Sequence, residues 1–317
     1  MNREKMLSIV YDRSFLLNTR NPEYANSLER LFKHMIKEDL NKGDITTDTL
    51  LNKRKAKARI TAKTDGVLSG SEEFKWLYLN NGLKVKQFKK DGDKIKNGDK
   101  LFEVSGDGRH ILYLERTGLN LLQRMSGIST QTMDICKILE KTNSNVRICA
   151  TRKTQWGYLD KKAVSVGGGL AHRLGLNESF LIKDNHLFLI KESGVKKPIK
   201  TAIERAWKKR KDVVFIEVEV KNSKEIVEAA KTFKKLQKDT HESKPCVIML
   251  DNMLPDEIRS SIDSLKKQDL YDYVLIETSG GITPENIEKY SKTGADACSL
   301  GFLTHSVKSV DISQNMY

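Results

Sequence analysis

"VVFIEVEVKNSKEIVEAAKTFKKLQKDTHESKPCVIMLD", residues 213–251, decides the fold. An apolar, β-branched run ends in two glutamates, Glu217 and Glu219, and a stretch of helical character follows. A second apolar run then closes at Asp251. Strand, helix and strand in that order make a βα unit whose strands are parallel. The same alternation extends in both directions. "NVRICAT" (145–151) precedes "YLDKKAV" (158–164), and "SFLIKD" (179–184) precedes "IKTAIERAWKKR" (199–210). Asp251 leads into "DEIRSSIDSLKK" (256–267), "DYVLIETSGG" (272–281) into "TPENIEKYSKTG" (283–294), and "ADACSLG" (295–301) ends the series. Such continuous apolar strands are buried on both faces, as in a barrel or a doubly wound sheet. No glycine-rich dinucleotide fingerprint opens the first unit, which weighs against a dinucleotide fold.

The first half is mixed α and β. "NSLERLFKHMIKEDL" (26–40) places Leu28, Leu31, Phe32, Met35 and Ile36 at helical spacing. "KAKARITAKTDGVLSG" (55–70) alternates and predicts strands broken at Asp65-Gly66. A long, mostly helical stretch runs over 113–142.

Composition narrows the function classes. The net charge of +14 is mostly lysine, and the lysines are spread along the chain. The densest clusters, "LNKRKAKARI" and "AWKKRKD", read as solvated faces. No zinc-finger spacing, RNP-like aromatic motif or basic zipper accompanies them, so nucleic acid is not the expected partner. No run of 18 apolar residues predicts a membrane span, and the charge-interrupted start lacks a secretory pattern, so a cytoplasmic protein is expected. Cys136, Cys149, Cys246 and Cys298 have no metal-ligand spacing and read as free thiols.

Unusual polar residues recur at the strand ends: "TRK", "KDNH", "EVEVK", "LDN", "ETSGG" and "GFLTH". In a (β/α) barrel those ends form one rim, where active sites are built. Arg152, Lys153, His172, Arg173 and Lys183 suit a small ligand carrying carboxylates or phosphate. Glu217, Glu219 and Asp251 form an acidic part, a carboxylate cluster suited to hold Mg²⁺, directly or through water, beside a phosphorylated substrate. Ser279, Gly280, Gly281 and Gly301 follow the last two strands, where backbone N–H groups bind phosphate. Phosphoribosyl transfer fits this set. Schiff-base chemistry at Lys153 or Lys183 is a competing reading.

At these residues a family emerges. "ATRKT", "VGGGLAHRLGL", "LIKDNHL", "EVEV", "MLDN", "ETSGGI" and "GFLTHSV" resemble the quinolinate phosphoribosyltransferases, and "EDLNKGDITT" with "LERTGLNLLQRMSGIST" resemble their N-terminal motifs. The resemblance runs in order from about Glu38 to Asp311. It implies an α/β chain with an N-terminal α/β sandwich domain and linking helix over 1–142. An open (β/α) barrel follows over 143–302, and a segment 303–317 returns to the first domain. It implies that quinolinate and phosphoribosyl pyrophosphate, with Mg²⁺, give nicotinate mononucleotide, CO₂ and pyrophosphate. It also implies a homodimer in which Arg116 crosses to the neighbouring active site, larger assemblies being left open. Arg152, Lys153, His172, Arg173 and Lys183 would surround the quinolinate carboxylates. Glu219 and Asp251 would serve the ribose and magnesium-pyrophosphate side, and Ser279, Gly280, Gly301 and His305 the 5-phosphate.

The chain departs from that pattern at Gln155-Trp156-Gly157, where a Pro-Gly turn is usual, and at Ala171, where asparagine is common. About twenty extra residues precede "EDL". The altered turn keeps an alternative in view, a molybdenum-transport-associated homologue with a different substrate.

Overall fold

Local signals set the element ends. The computed structural model describes residues 3–142 and 144–317. It opens with helices α1 (Arg3–Tyr11), α2 (Pro22–Asp39) and α3 (Ile45–Leu50). Strands β1 (Lys55–Ala62) and β2 (Gly66–Val67) lead to α4 (Ser71–Asn80), then β3 (Lys84–Gln87), β4 (Lys94–Ile95) and β5 (Lys100–Asp107). Next come α5 (Gly108–Lys141), β6 (Arg147–Ala150), α6 (Tyr158–Val166), β7 (Phe180–Ile182), α7 (Asp184–Glu192) and α8 (Pro198–Trp207). The series closes with β8 (Ile216–Val220), α9 (Ser223–Thr240), β9 (Cys246–Asp251), α10 (Pro255–Lys267), β10 (Leu275–Ser279), α11 (Ile287–Ser291), β11 (Ala297–Leu300), α12 (Phe302–His305) and β12 (Ile312–Met316). Among the described residues, no helix is long and apolar enough to cross a membrane.

The chain forms two compact units, each drawn from separate segments. One comprises residues 14–134, 153–169 and 303–317; the other takes the residues before 14, the stretch 135–152, and 170–302. The segment 303–317 belongs with the sandwich unit, and the division is otherwise more interleaved than the sequence suggested: the residues before 14 go with the barrel and 153–169 with the sandwich.

In the sandwich unit, an antiparallel sheet runs β12-β1-β5-β3. The last strand pairs with β1, Ala58 facing Met316 and Ala62 facing Ile312. Helix α2 starts before the first sequence-predicted position: Asn21 caps it by accepting from Glu23 N–H at 3.1 Å, and Pro22 takes the first turn. It buries Tyr24, Leu28 and Phe32, one residue per turn. Asp44 caps α3 by accepting from the Thr46 and Thr47 N–H groups, both at 3.0 Å. On α5, Gly118 is required by close approach: a β-carbon there would meet the Tyr78 ring at 2.7 Å. Phe74 stacks between Tyr78 and Phe102 with centroids 4.2 and 4.6 Å apart.

In the barrel unit, six parallel strands run β6-β11-β10-β9-β8-β7. Each strand follows its predecessor except at one place: β6 pairs with β11, and β7 with β8. The barrel is therefore open between β6 and β7. Alternate residues of each strand face opposite ways. The outer set, including Ile216, Val218, Val220, Ile248, Leu250 and Ile276, packs against Ile203 and Trp207 of α8, Ile226 and Phe233 of α9, and Ile258 and Ile262 of α10. Each such fully buried side chain contributes about 1.5–3 kcal/mol.

The inner set changes character from base to rim. Cys149, Phe215, Val247, Leu275 and Ala297 form an apolar floor, and α1 fills it with Met6, Val10 and Tyr11. Arg3 fastens that helix, gripping Asp296 with two hydrogen bonds and lying 3.7 Å over the Tyr271 ring. Above the floor the inward residues include Glu217, Met249, Glu277 and Ser299, then Glu219, Asp251 and Ser279.

Candidate active site

Strand polarity places the rim. The carboxyl ends of β6 to β11 carry Arg152, Lys183, Glu219, Asp251, Ser279 and Gly301 at or within two residues of the last strand position. Parallel pairing makes these ends neighbours: Glu219 lies opposite Met249, and Ser279 opposite Asp251 and Ser299.

The seam between β6 and β7 is bridged by the segment that carries His172 and Arg173. On one side Leu170 N–H donates to the Ile148 carbonyl at 2.7 Å, and Ala150 N–H to the Leu170 carbonyl at 2.8 Å. On the other the segment runs directly into β7, and Val214 N–H donates to the Glu178 carbonyl at 3.0 Å, extending the β7–β8 pairing. Arg173 Nη1 donates across its own loop to the Ser179 carbonyl at 3.0 Å. Its guanidinium, in a side chain only 6% exposed, is lowered from the usual arginine range by burial first and by nearby Arg152 as well, with Glu217 opposing. Arg152 and Arg173 therefore form a joint cationic feature at the seam.

Lys183 is exposed and caps α7 at the end of β7. It belongs to a second group. Burial raises the Glu219 carboxyl, and the Asp251 carboxylate raises it further, while Lys183 pulls the other way. Lys221 donates to Asp184 at 2.8 Å beside them. Asp251 is held by Asn252 Nδ2 at 2.7 Å. Gly280 follows Ser279 with φ +96, and a β-carbon there would sit 2.2 Å from Asn252 Oδ1, so this turn needs glycine.

His172 departs from its expected place. It was expected beside the substrate carboxylates, but its ring points down into the barrel and is 4% exposed. Its Nδ1 accepts from Arg173 N–H at 2.6 Å. Its Nε2 lies 3.2 Å from Glu277 and 3.5 Å from Glu217. Burial opposes charge on the ring, but Glu277 and Glu217 outweigh it and raise the imidazole to about 9. The N–H against Nδ1 resists a second ring proton and tempers that rise. Burial, then repulsion from Glu277, pushes Glu217 up to about 7. Glu277 moves the other way: burial is overcome by His172 and by the hydroxyl of Ser299, which donates to it. Among the described residues, neither oxygen of Glu217 has a hydrogen-bond partner. Glu217 thus belongs with His172 in this deeper layer, below Glu219 and Asp251.

Sequence reasoning missed Glu277, although it stands two residues before Ser279 and hence on the same face of β10. It also missed Asp160, which is fully buried and organises the unusual turn. Asp160 accepts from Arg124 Nε at 2.9 Å and Nη2 at 2.8 Å, and from the Gln155 and Trp156 N–H groups at 2.9 and 3.2 Å. Arg124 lies 5.3 Å from the Trp156 ring. Lys153, Arg116 and His305 belong to the sandwich unit. There Arg116 is exposed on α5, Thr304 Oγ1 donates to the Lys153 carbonyl at 2.7 Å, and His305 Nδ1 lies 2.7 Å from Ser306 Oγ.

Known proteins match along nearly the whole chain. Residues 44–126 match the N-terminal domain of quinolinate phosphoribosyl transferase, and residues 128–315 its C-terminal domain. A probable nicotinate-nucleotide pyrophosphorylase [carboxylating] of Methanocaldococcus jannaschii is 40% identical, over 90% of this chain and 95% of the relative. That of Methanothermobacter thermautotrophicus is 36% identical, over 89% of this chain and 96% of the relative. The crystal structure of NadC from Streptococcus pyogenes superposes with a TM-score of 0.78 at 30% identity, covering 92% of this chain and 97% of that one. The chain belongs to the quinolinate phosphoribosyl transferase family.

Proposed function

We infer that this chain transfers the phosphoribosyl group of phosphoribosyl pyrophosphate to quinolinate, with loss of CO₂, yielding nicotinate mononucleotide and pyrophosphate for NAD synthesis. The observation that carries this is the pairing of a cationic seam with an acidic rim in a member of this family. Arg152 and Arg173 lie at the opening between β6 and β7, and Lys183, Glu219 and Asp251 stand at neighbouring strand ends.

The residues suit the chemistry. Quinolinate is a dianion, and arginine forks match carboxylates with two parallel hydrogen bonds. Arg152, Arg173 and Lys183, joined by Lys153 and by Arg116 of a dimer partner, neutralise it and orient its ring nitrogen. That nitrogen attacks the anomeric carbon as pyrophosphate leaves. Positive charge develops at that carbon, and Glu219 and Asp251 are the carboxylates placed to stabilise it. Quaternising the ring turns it into an electron sink, so the bond to the adjacent carboxylate breaks, CO₂ leaves and a proton takes its place. No covalent nucleophile is needed; holding the two substrates in register supplies much of the rate. Ser279, Gly280, Gly281, Gly301 and His305 are assigned to the 5-phosphate.

Mg²⁺ fits the donor set. Burial and then the neighbouring Asp251 carboxylate raise the Glu219 carboxyl, a repulsion that a divalent cation relieves, and magnesium takes one or two carboxylates with substrate phosphates. Glu219 and Asp251 would hold it, and its charge would neutralise the departing pyrophosphate. The setting we propose is cytoplasmic, in line with four free thiols, three of them buried.

The test is direct. The purified chain with quinolinate, phosphoribosyl pyrophosphate and Mg²⁺ is expected to release nicotinate mononucleotide and CO₂ in equal amounts. A folded protein that turns over nicotinate but leaves quinolinate untouched would overturn the substrate assignment.

A further inference from the structure

The first helix does more than fill the floor of the barrel. His172 donates its backbone N–H to the Tyr11 carbonyl at 2.9 Å, and the Tyr11 ring meets the imidazole edge-on with centroids 5.3 Å apart. Two residues further on, Arg13 is 4% exposed. Its Nη1 donates to the Ile9 carbonyl at 2.7 Å and the Asp12 carbonyl at 2.6 Å, so the end of α1 fixes the guanidinium. Its Nε donates to Glu178, with which it forms an ion pair. The other oxygen of Glu178 accepts from Leu174 N–H at 2.6 Å. The residue after His172 and the residue before Leu174 are the same one, Arg173.

A buried arginine is costly to desolvate, and an apolar side chain would extend the floor at lower cost. What Arg13 provides is direction: charge-assisted bonds fix both distance and angle. The backbone on either side of Arg173 is tied to the segment ending α1, through the Tyr11 carbonyl on one side and through Arg13 and Glu178 on the other. This segment lies before residue 44, ahead of both matched family domains.

We propose that Arg13, acting through Glu178, is a positioning residue for the diacid pocket, setting the 172–179 loop from which Arg173 is presented. The proposal rests on the assignment of Arg173 to the quinolinate carboxylates. A small displacement of a binding side chain has large kinetic consequences, of the order of 10²-fold for about 1 Å. Lost positioning of this kind acts on the diacid and leaves the phosphoribosyl side in place.

The experiment uses the full chain with the substitutions R13Q, R13K, E178Q and, as reference, R173Q. It measures KM for each substrate, kcat and the thermal midpoint. R13Q is expected to raise KM for quinolinate roughly tenfold, the scale of one lost charged hydrogen bond. KM for phosphoribosyl pyrophosphate and kcat stay within about twofold. R13K recovers part of the loss, and E178Q shifts KM in the same direction as R13Q. Should R13Q fail to fold, E178Q carries the test, since glutamine keeps an acceptor for Leu174 N–H. Wild-type KM for quinolinate in folded R13Q and E178Q, alongside an impaired R173Q, overturns the proposal. A uniform loss in all kinetic constants that follows the thermal midpoint overturns it too, by making the role purely structural. An unimpaired R173Q removes the pocket assignment beneath it.

Discussion

Glu217 and Glu219 stand two residues apart on one strand and face the same way, yet they live in different chemistry. Glu217 is fully buried against His172 and Glu277. Glu219 is one step nearer solvent and shares its surroundings with Asp251 and Lys183. Both carboxyls are raised, first by burial and then by a neighbouring acid. The difference is what answers the charge. In the deep layer a histidine from the same protein answers it. At the rim, in the function we propose, part of the answer comes from a ligand. Depth in the barrel, 3.3 Å per residue along a strand, separates a structural ion cluster from the one we propose as catalytic.

The largest effect tests the deep layer. E277A leaves the His172 imidazole without its closer carboxylate, and breaking a buried pair costs about 3–5 kcal/mol. Thermal or denaturant unfolding is expected to show this, with activity falling as a consequence of the lost fold. The rim should behave in the opposite way. E219A is expected to lower kcat by about 10²–10³ while the unfolding midpoint stays near wild type. If both variants lost stability equally, depth would not be the dividing line.

Protons sharpen the comparison further. Glu217 is raised from 4.5 to about 7 and His172 from 6.5 to about 9. In both, the folded state binds the proton more tightly than the unfolded chain. Their contribution is complete below the unfolded values and is lost as pH rises, through about 7 for Glu217 and about 9 for His172. Glu277 is lowered and works the other way, its share being lost on acidification below 4.5. Unfolding free energies measured from pH 6 to 9 should therefore decline by several kcal/mol, with midpoints falling in step. E217Q should remove the lower part of that decline and reduce the upper part, because Glu217 stands second to Glu277 among the carboxylates that raise His172. A midpoint independent of pH over this range would rule out the charged cluster.

The smallest effect concerns the unusual turn. W156A removes a ring resting on Arg124 and should cost about 1 kcal/mol, whereas W156F should be nearly silent in both stability and KM. A large change in KM for quinolinate with W156F would give Trp156 a share in choosing the substrate.

The barrel strands were legible in the sequence because six apolar runs each end in polar residues, a pattern local to each segment. Glu219, Asp251 and the glycine at 280 were readable for the same reason. The floor was not. Helix α1 is nine residues long and broken by charges, and only three of its side chains, Met6, Val10 and Tyr11, are buried. Its place is fixed by partners far along the chain, Arg3 with Asp296 and Arg13 with Glu178. No window of sequence holds both ends of such a bond. His172 was readable as a member of a cationic motif, but its orientation depended on Glu277, more than a hundred residues later.

A staircase of parallel strands that fails to close has one step with no ladder rungs between its own edges. Amides along 170–179 are held by a few isolated bonds, where those of β8 to β10 sit inside continuous pairing on both sides. Solvent deuterium should reach the former first, and entry of a ligand should slow it there most. The barrel would then breathe at the very place where we propose its guest is gripped.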